Sequence, residues 1–238
     1  GPELLMTARD KGAKIKGIGL MHKNSNFVVI LVKKNSSIKK LKDLDGKEVG
    51  FFYGHISTDV LRALFKKENI VVKEIDVGFN NNLFIADKLP AQWAFRTTAG
   101  LTLPSKGIEV RFISPADYGI ETQGHTIIAN EDMILKTPNI VDSFLKALKE
   151  ATEYSLKNIE ESVKAIQKRD VNFPAELAKQ QLEIYNKVIS NNNKILWIDS
   201  EILESTKNRM IGLGLVSNKF DLQQSINNSF ITRIYADK

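Results

Sequence analysis

Residues 47–65 are KEVGFFYGHISTDVLRALF, and this stretch carries the clearest evidence for the fold. Lys47–Phe52 is typical of a buried strand, and Gly54 suits the tight turn that follows it. A helix is predicted next, with Ser57 as its N-cap. Its apolar face repeats at helical spacing through Val60, Leu61, Leu64 and Phe65. A strand, a turn and a helix in this order are the repeating unit of an α/β protein.

The segments on either side continue the alternation of helices and strands. The pattern predicts a helix over Glu3–Lys11 and strands over Ile15–Leu20, Phe27–Val32 and Val71–Val77. Phe27–Val32 is solidly apolar, as expected of a strand buried on both faces. Strands that alternate with helices predict a parallel sheet with right-handed crossovers.

Helices dominate the sequence after residue 80. The predicted elements are a short helix Leu83–Ala86, strands Glu109–Ile113 and Thr126–Ala129, one long helix from Pro138 through Val163 with Thr137 as N-cap, and helices Pro174–Val188 and Glu201–Met210. A middle α/β segment is thus bracketed by other elements, which predicts two lobes. Lobe 1 would comprise 1–33 and 127–238, and lobe 2 would comprise 34–126, with crossings near Lys33–Ser37 and Thr122–Thr126.

Composition excludes several classes of protein. The chain has 238 residues, 42% of them hydrophobic and 26% charged, which is typical of a folded globular protein. It has no cysteine, so disulfides, Cys-ligated zinc and thiol catalysis are excluded. The histidines at 22, 55 and 125 are too scattered for a local metal motif. The formal charge of +6 arises from residues 1–48, which lack interleaved aromatic residues, so we expect a lysine-rich surface and no nucleic-acid partner.

The loop at 53–58 is the first candidate for a binding site. It joins the carboxyl end of a strand to a helix N-terminus, where open α/β sheets bind ligands. Backbone N–H groups and hydroxyls there can hold an anion or the edge of a polar heterocycle. The candidate residues are Tyr53, Gly54, His55, Ser57 and Thr58. In the alternative interpretation, Ser57 only caps the helix and His55 is an exposed loop residue.

Two further aromatic residues are candidates. Trp93 lies in a segment of weak periodicity with polar neighbours, so it is either the stacking wall of a pocket or a core residue. Tyr118 follows a strand end in turn-forming sequence, so its ring could face a cleft. The sequence shows no Ser-His-Asp spacing, no paired carboxylates in one loop and no His-x-x-x-His motif. We therefore expect a binding protein and no catalytic residues.

Several stretches together resemble the NMT1/THI5-like family of solute-binding proteins, which contains the thiamine-precursor and alkanesulfonate binding proteins of ABC importers. They are GPELLMTARDKG at 1–12, SIKKLKDLDGKEVG at 37–50, ISPADYGI at 113–120 and KTPNIVDSFLKA at 136–147. The resemblance implies an α/β periplasmic-binding-protein fold of the second type, with two lobes and two hinge crossings. It also implies that the Tyr53–Thr58 loop and Trp93 line the cleft.

The resemblance further implies a receptor without a cofactor, located in the periplasm or outside the cell, that delivers its ligand to an ABC permease. The ligand expected from it is a small heteroaromatic nutrient such as a thiamine-precursor pyrimidine. The alternatives are a binder of another small anion or vitamin, such as an alkanesulfonate or riboflavin, a regulatory sensing domain, or a THI5-like enzyme that makes the pyrimidine from a bound pyridoxal cofactor. That enzyme would need a Schiff-base lysine and a histidine from an N-terminal segment that precedes residue 1 in relatives.

The resemblance implies that this chain lacks the strand and helix with which its relatives begin. We therefore expect Phe27–Val32 to have an unpaired neighbouring position in its sheet. An exposed edge of this kind favours self-association, so a homo-oligomer is expected.

Overall fold

The computed structural model describes residues 1–190 and 194–236. Its strands are β1 Ile15–Leu20, β2 Val28–Lys33, β3 Glu48–Phe51, β4 Lys73–Asp76, β5 Ala91–Phe95, β6 Val110–Ile113 and β7 Thr126–Asn130. Its α-helices are α1 Pro2–Asp10, α2 Ile56–Lys67, α3 Asn82–Ile85, α4 Ala99–Thr102, α5 Glu131–Lys136, α6 Pro138–Lys157, α7 Ile159–Arg169, α8 Ala175–Ser190, α9 Ser200–Gly212 and α10 Ser229–Ala236. Short 3-10 turns lie at Leu41–Leu44, Pro104–Lys106, Pro115–Tyr118 and Gln223–Ser225.

The chain divides into two compact units. Unit 1 comprises Gly1–Ser25 and Gln123–Lys238, and unit 2 comprises Asn26–Thr122. The first boundary lies earlier than the predicted 33/34, because β2 forms its sheet hydrogen bonds with β5 and β6 of unit 2. The second boundary lies at 122/123, where 126/127 was predicted.

Unit 2 is built on a mixed five-stranded sheet of order β4-β3-β5-β2-β6. β3 runs parallel to β4 and β5, whereas β2 runs antiparallel to β5 and β6. The prediction of a wholly parallel sheet is therefore wrong. A parallel crossover usually contains a helix. Between β2 and β3 the chain forms only the 3-10 turn Leu41–Leu44, and β3 is placed beside β5.

The strand β2 is buried on both faces, as its apolar sequence predicts. Ile30 and Val32 pack in one hydrophobic cluster with α2, while Val29 and Leu31 pack in another with residues of α3 and α4. Both edges of β2 are also paired, one with β5 and one with β6. The expectation of an unpaired position beside this strand is therefore wrong. The argument for self-association that rested on this exposed edge no longer applies.

Helix α2 presents the predicted apolar face, since Val60, Leu61, Leu64 and Phe65 are all buried. Its N-cap is His55, two residues before the predicted Ser57. The imidazole Nδ1 of His55 accepts the backbone N–H of Ser57 at 3.3 Å. The histidine ring thus takes the place of the short oxygen-bearing side chain that usually caps a helix.

Unit 1 combines an antiparallel pair, β1 with β7, and most of the helices. Its core contains Ile18, Ala129, Val141, Leu145, Leu196, Phe230 and Ile231. The predicted single helix from Pro138 through Val163 is interrupted, because α6 ends at Lys157 and α7 begins at Ile159. The side chain of Asn158 donates to the carbonyl of Tyr154 at 2.9 Å, a local bond that competes with helix continuation.

A histidine, His22, is buried in unit 1 in the segment that follows β1. The ring of His22 lies 5.5 Å from that of His125 and 5.2 Å from that of Tyr185, centroid to centroid. Burial, assisted by charge on His125, lowers the pKa of His22 to about 4. A Cβ added at Gly124 would lie 1.5 Å from Nδ1 of His22, so the ring occupies the space that any side chain at 124 would need.

Candidate functional site

A pocket of about 240 Å³ lies within unit 2. Because β3, β4 and β5 are parallel, their carboxyl ends share one edge of the sheet. Residues of β5 and of the segments that follow β4 and β5 line the pocket: Gly78, Phe79, Asn81, Gln92, Trp93, Ala94, Phe95, Thr98, Ala99 and Thr102. This edge is where α/β sheets generally bind ligands.

Five rings, Phe52, His55, Phe79, Trp93 and Phe95, form what we call the aromatic cluster. The ring of His55 stacks on two of them, with centroids 5.0 Å from Phe52 and 5.6 Å from Trp93, and those two rings also contact each other at 5.9 Å. Phe79 and Phe95 approach Trp93 at 5.5 and 5.3 Å. Phe79 is 67% exposed although it touches three other members of the cluster. The cluster therefore presents an aromatic surface against which a further ring can stack.

Trp93 is a core residue that also borders the pocket, and its role in ligand binding stays a prediction. Its side chain is 3% exposed and belongs to the main hydrophobic cluster of unit 2, yet the residue also lines the pocket. The indole Nε1 donates to the carbonyl of Gly78 at 3.0 Å, which satisfies the only polar atom of the side chain. Strand geometry and this hydrogen bond together fix the plane of the indole.

His55 is held as a neutral ring. Burial lowers its pKa, which favours the uncharged imidazole. Its Nδ1 lies 2.5 Å from the hydroxyl of Ser57 and accepts the backbone N–H of the same residue. Both contacts suit Nδ1 as the acceptor, so the ring proton belongs on Nε2.

The donors predicted at the start of α2 are used within the loop itself. The Thr58 hydroxyl donates to the carbonyls of Phe52 and His55, at 3.0 and 2.8 Å, and its N–H donates to His55 as well. Ser57 is bonded to His55 as described. These contacts hold the loop and the cap in place. They favour a structural role for Ser57 and Thr58 over a role in binding an anion.

Tyr53 and Gly54 shape the same loop. Gly54 has a φ of +76°, a value that suits glycine in the turn. The Tyr53 hydroxyl donates to the carbonyl of Glu74 at 3.0 Å, and its N–H donates to the Asp76 carboxylate at 3.1 Å. Tyr53 is thereby tied to β4, and its binding role stays a prediction.

Tyr118 has a structural environment of its own. Its ring packs against the main core cluster, and its hydroxyl accepts the backbone N–H of Leu41 at 3.2 Å. Lys67 donates to its carbonyl at 2.5 Å. These bonds join the 3-10 turn Pro115–Tyr118 to α2 and to the turn at Leu41–Leu44.

Trp93 is the one residue of the pocket lining that was predicted from the sequence, and among those not predicted are Phe79, Gln92 and Phe95. The alternation of Trp93 and Phe95 in AQWAF is compatible with a strand and could have indicated their common face. Phe79 lies in the turn-rich GFNNN stretch, which gives no signal of an aromatic contact.

Residues 1–190 and 194–236 contain no helix long and apolar enough to cross a membrane. Within the same residues, no three histidine, aspartate or glutamate side chains are grouped so that they could hold a metal ion.

Comparison with known proteins gives consistent results for sequence and structure. The family model described as "NMT1/THI5 like" matches residues 1–162. The riboflavin-binding protein RibY of Chloroflexus aurantiacus is 22% identical over an alignment of 242 positions that covers 95% of this chain and 68% of RibY.

Solved structures share the fold. The periplasmic aliphatic sulphonate binding protein SsuA from Escherichia coli superposes with a TM-score of 0.75 at 20% identity, covering 94% of this chain and 72% of SsuA. The desulfurization enzyme DSZB gives 0.70 at 11% identity, covering 99% and 83%. The likeness to SsuA confirms the predicted α/β fold of periplasmic binding proteins, and DSZB shows that an enzyme can be built on the same fold.

Proposed function

Because the chain belongs to the NMT1/THI5-like family, we propose that it is the solute-binding protein of an ABC importer and that its ligand contains a planar heteroaromatic ring. It would act outside the cytoplasmic membrane and pass the ligand unchanged to a permease. The observation that carries this proposal is the aromatic cluster beside the pocket of unit 2.

The cluster favours a flat ring over an aliphatic ligand. A ring placed against Phe79 and Trp93 gains stacking energy in addition to the burial of its surface, about 0.5–1.5 kcal/mol for each aromatic pair. His55 does not line the pocket, but its ring packs against Phe79 and Trp93, which do, and so supports the aromatic surface.

The size of the pocket limits what it can enclose. Its volume of about 240 Å³ lies just below the ~300–1,000 Å³ of typical ligand pockets. This is room for one ring with small substituents, or for one end of a larger ring system. A thiamine-precursor pyrimidine is of the first kind. Riboflavin, the ligand in the name of the relative RibY, is of the second.

An alkanesulfonate is the second candidate, since the name of SsuA specifies an aliphatic sulphonate. A sulfonate carries a negative charge and three acceptor oxygens, so it needs donors and positive charge. In this chain Ser57 and Thr58 use their donors within the loop, and Arg62 is paired with Glu74 and Asp59. These contacts weigh toward the heteroaromatic ligand.

Calorimetric titration with three compounds tests the proposal: 4-amino-5-hydroxymethyl-2-methylpyrimidine, riboflavin and ethanesulfonate. We expect micromolar or tighter binding of at least one of the two heterocycles, and mass spectrometry of the recovered ligand should show it unchanged. Binding of ethanesulfonate alone would refute the heteroaromatic ligand. Chemical conversion of a bound heterocycle would refute the receptor role.

The substitution Trp93→Phe tests whether the aromatic cluster contributes to ligand affinity. Phenylalanine keeps an aromatic ring in the core, so the fold should survive, but it removes half of the stacking surface and the bond to Gly78. We expect heterocycle affinity to fall about tenfold. The matched control is Trp197→Phe, the other tryptophan of the chain, which lies in unit 1 and should leave affinity unchanged.

A further inference from the structure

Gln92 is a buried polar residue in the wall of the pocket. It lies on β5 between Ala91 and Trp93, and its side chain is 2% exposed. Its amide Nε2 donates to the Asn81 side chain, another residue that lines the pocket. Its amide Oε1 is buried and has no hydrogen-bond partner. The acceptor side of this amide is therefore unused.

An unpartnered buried amide oxygen is unusual in a folded protein. More than nine in ten buried polar groups find a partner, because an unpaired one bears the full cost of its lost hydration. Gln92 lines the pocket, so a small molecule that enters the pocket can supply the missing partner. A ligand that donates a hydrogen bond there would remove this cost on binding.

The backbone holds Gln92 firmly in position. β5 is paired on both sides at this residue, with Leu31 of β2 and with Gly50 of β3. The approach to Gly50 is so close that a Cβ added there would lie 2.6 Å from Cβ of Gln92. Since the main chain is fixed and Asn81 anchors Nε2, the position of Oε1 is set before a ligand binds.

We infer that Oε1 of Gln92 accepts a hydrogen bond from an N–H group at the edge of the ligand's ring, and that this bond selects rings carrying a ring N–H or an amino group. The inference rests on the proposed function and narrows it. The aromatic cluster contacts the face of the ring, while Gln92 contacts its edge. A sulfonate, which has only acceptor oxygens, cannot satisfy Gln92.

Paired ligands that differ only in this N–H test the inference. Riboflavin is compared with 3-methylriboflavin, whose imide N–H is replaced by N–CH₃, and the 4-aminopyrimidine used above is compared with its 4-dimethylamino analogue. In the wild-type protein we expect the N–H compound of the binding pair to be preferred about 10- to 100-fold.

Two substitutions separate the hydrogen bond from steric effects. Gln92→Met keeps the length of the side chain and removes the acceptor, so we expect the preference to disappear through weaker binding of the N–H compound. Gln92→Glu keeps an acceptor oxygen, so it should retain a preference. The matched control is Gln123→Met: Gln123 is also a buried glutamine but belongs to unit 1, where its Oε1 accepts from Thr206. It should leave the preference at its wild-type value, and thermal melts confirm that each variant is folded.

Each outcome bears on a different statement. Loss of the preference in Gln92→Met alone supports the inference. If Gln92→Met has the same ratio of affinities for the paired ligands as the wild type, Gln92 does not recognise the N–H group of the ligand. The proposed function would still stand. If the wild-type protein binds none of the four heterocycles, the proposed function is refuted and the inference about Gln92 falls with it.

Discussion

Acidification is expected to destabilise unit 1 through His22. The pKa of its buried imidazole is lowered from 6.5 to about 4, so the folded chain resists a proton that the unfolded chain accepts. Between pH 6.5 and pH 4 the unfolded state therefore binds more protons at this residue, and the free energy of unfolding falls as the pH falls. Above pH 6.5 both states are neutral and the stability contributed by this difference is fully present.

The size of the effect follows from the shift. One pKa unit corresponds to about 1.4 kcal/mol, so lowering the pH from 7.5 to 5.0 should reduce the free energy of unfolding by about 2 kcal/mol through His22. The loss should level off near 3 kcal/mol below pH 4. His125, whose pKa is also lowered by burial, contributes in the same direction and must be separated from His22.

Urea unfolding of His22→Gln beside the wild type makes this separation. The chain has two tryptophans, Trp93 in unit 2 and Trp197 in unit 1, so a Trp93→Phe background lets the fluorescence of Trp197 report on unit 1 alone. The free energy of unfolding of the protein with His22, relative to that of the protein with Gln at position 22, should fall by about 2 kcal/mol from pH 7.5 to pH 5.0. An equal pH dependence in both proteins would show that His22 titrates normally, and the reasoning from its burial would be refuted.

Three further substitutions test other contacts. Gly124→Ala should destabilise unit 1 by about 1–3 kcal/mol in the same urea assay, because its Cβ would collide with the His22 ring; an unchanged midpoint would contradict this packing. Gly50→Ala should displace Gln92 and weaken binding of the preferred heterocycle about tenfold by calorimetry, and unaltered affinity would show that the position of Gln92 is unimportant. Phe79→Ala should leave the thermal midpoint almost unchanged, since the ring is exposed, yet lower heterocycle affinity about tenfold; the reverse pattern would assign Phe79 to the core.

The secondary structure that rests on local pattern was largely predictable. The strand at Val28–Lys33 and the apolar face of α2 follow from runs and spacings of apolar residues, and both were found within a residue or two. The direction in which a strand pairs is not local, because it depends on a partner about 60 residues away along the chain. This is why the sequence indicated a parallel sheet, while β2 pairs antiparallel on both sides.

The predictions of the helix cap and of one helix end were wrong for a different reason. Ser57 is a typical cap by residue type, yet His55 takes that position because a turn at Gly54 brings its ring over the first N–H groups. The interruption lies at Asn158, whose backbone leaves the helical region (φ −129°, ψ 60°) and whose side chain bonds the Tyr154 carbonyl, and helical periodicity encodes neither feature.

Of the residues predicted to bind a ligand, Trp93 lines the pocket and the Tyr53–Thr58 loop does not, so the binding role of these residues stays a prediction. The end of β3 and the start of α2 were indicated by the strand-turn-helix sequence, and His55 and Trp93 do lie together in the structure. Phe79 and Gln92 could not be foreseen. Phe79 belongs to the loop after β4, and its contacts depend on where that loop folds. Gln92 was singled out because its amide oxygen has no hydrogen-bond partner, which only the structure reveals.

The two ends of unit 2 meet. The N–H of Asn26 donates to the carbonyl of Thr122 at 3.4 Å, and the N–H of Thr122 donates to the Asn26 side chain at 3.0 Å. A segment whose first and last residues are neighbours can be inserted into a host chain, or removed from it, without stretching either. Residues 26–122 thus have the geometry of a transferable module, which could be grafted between the same two positions of another binding protein to exchange its aromatic pocket as a single piece.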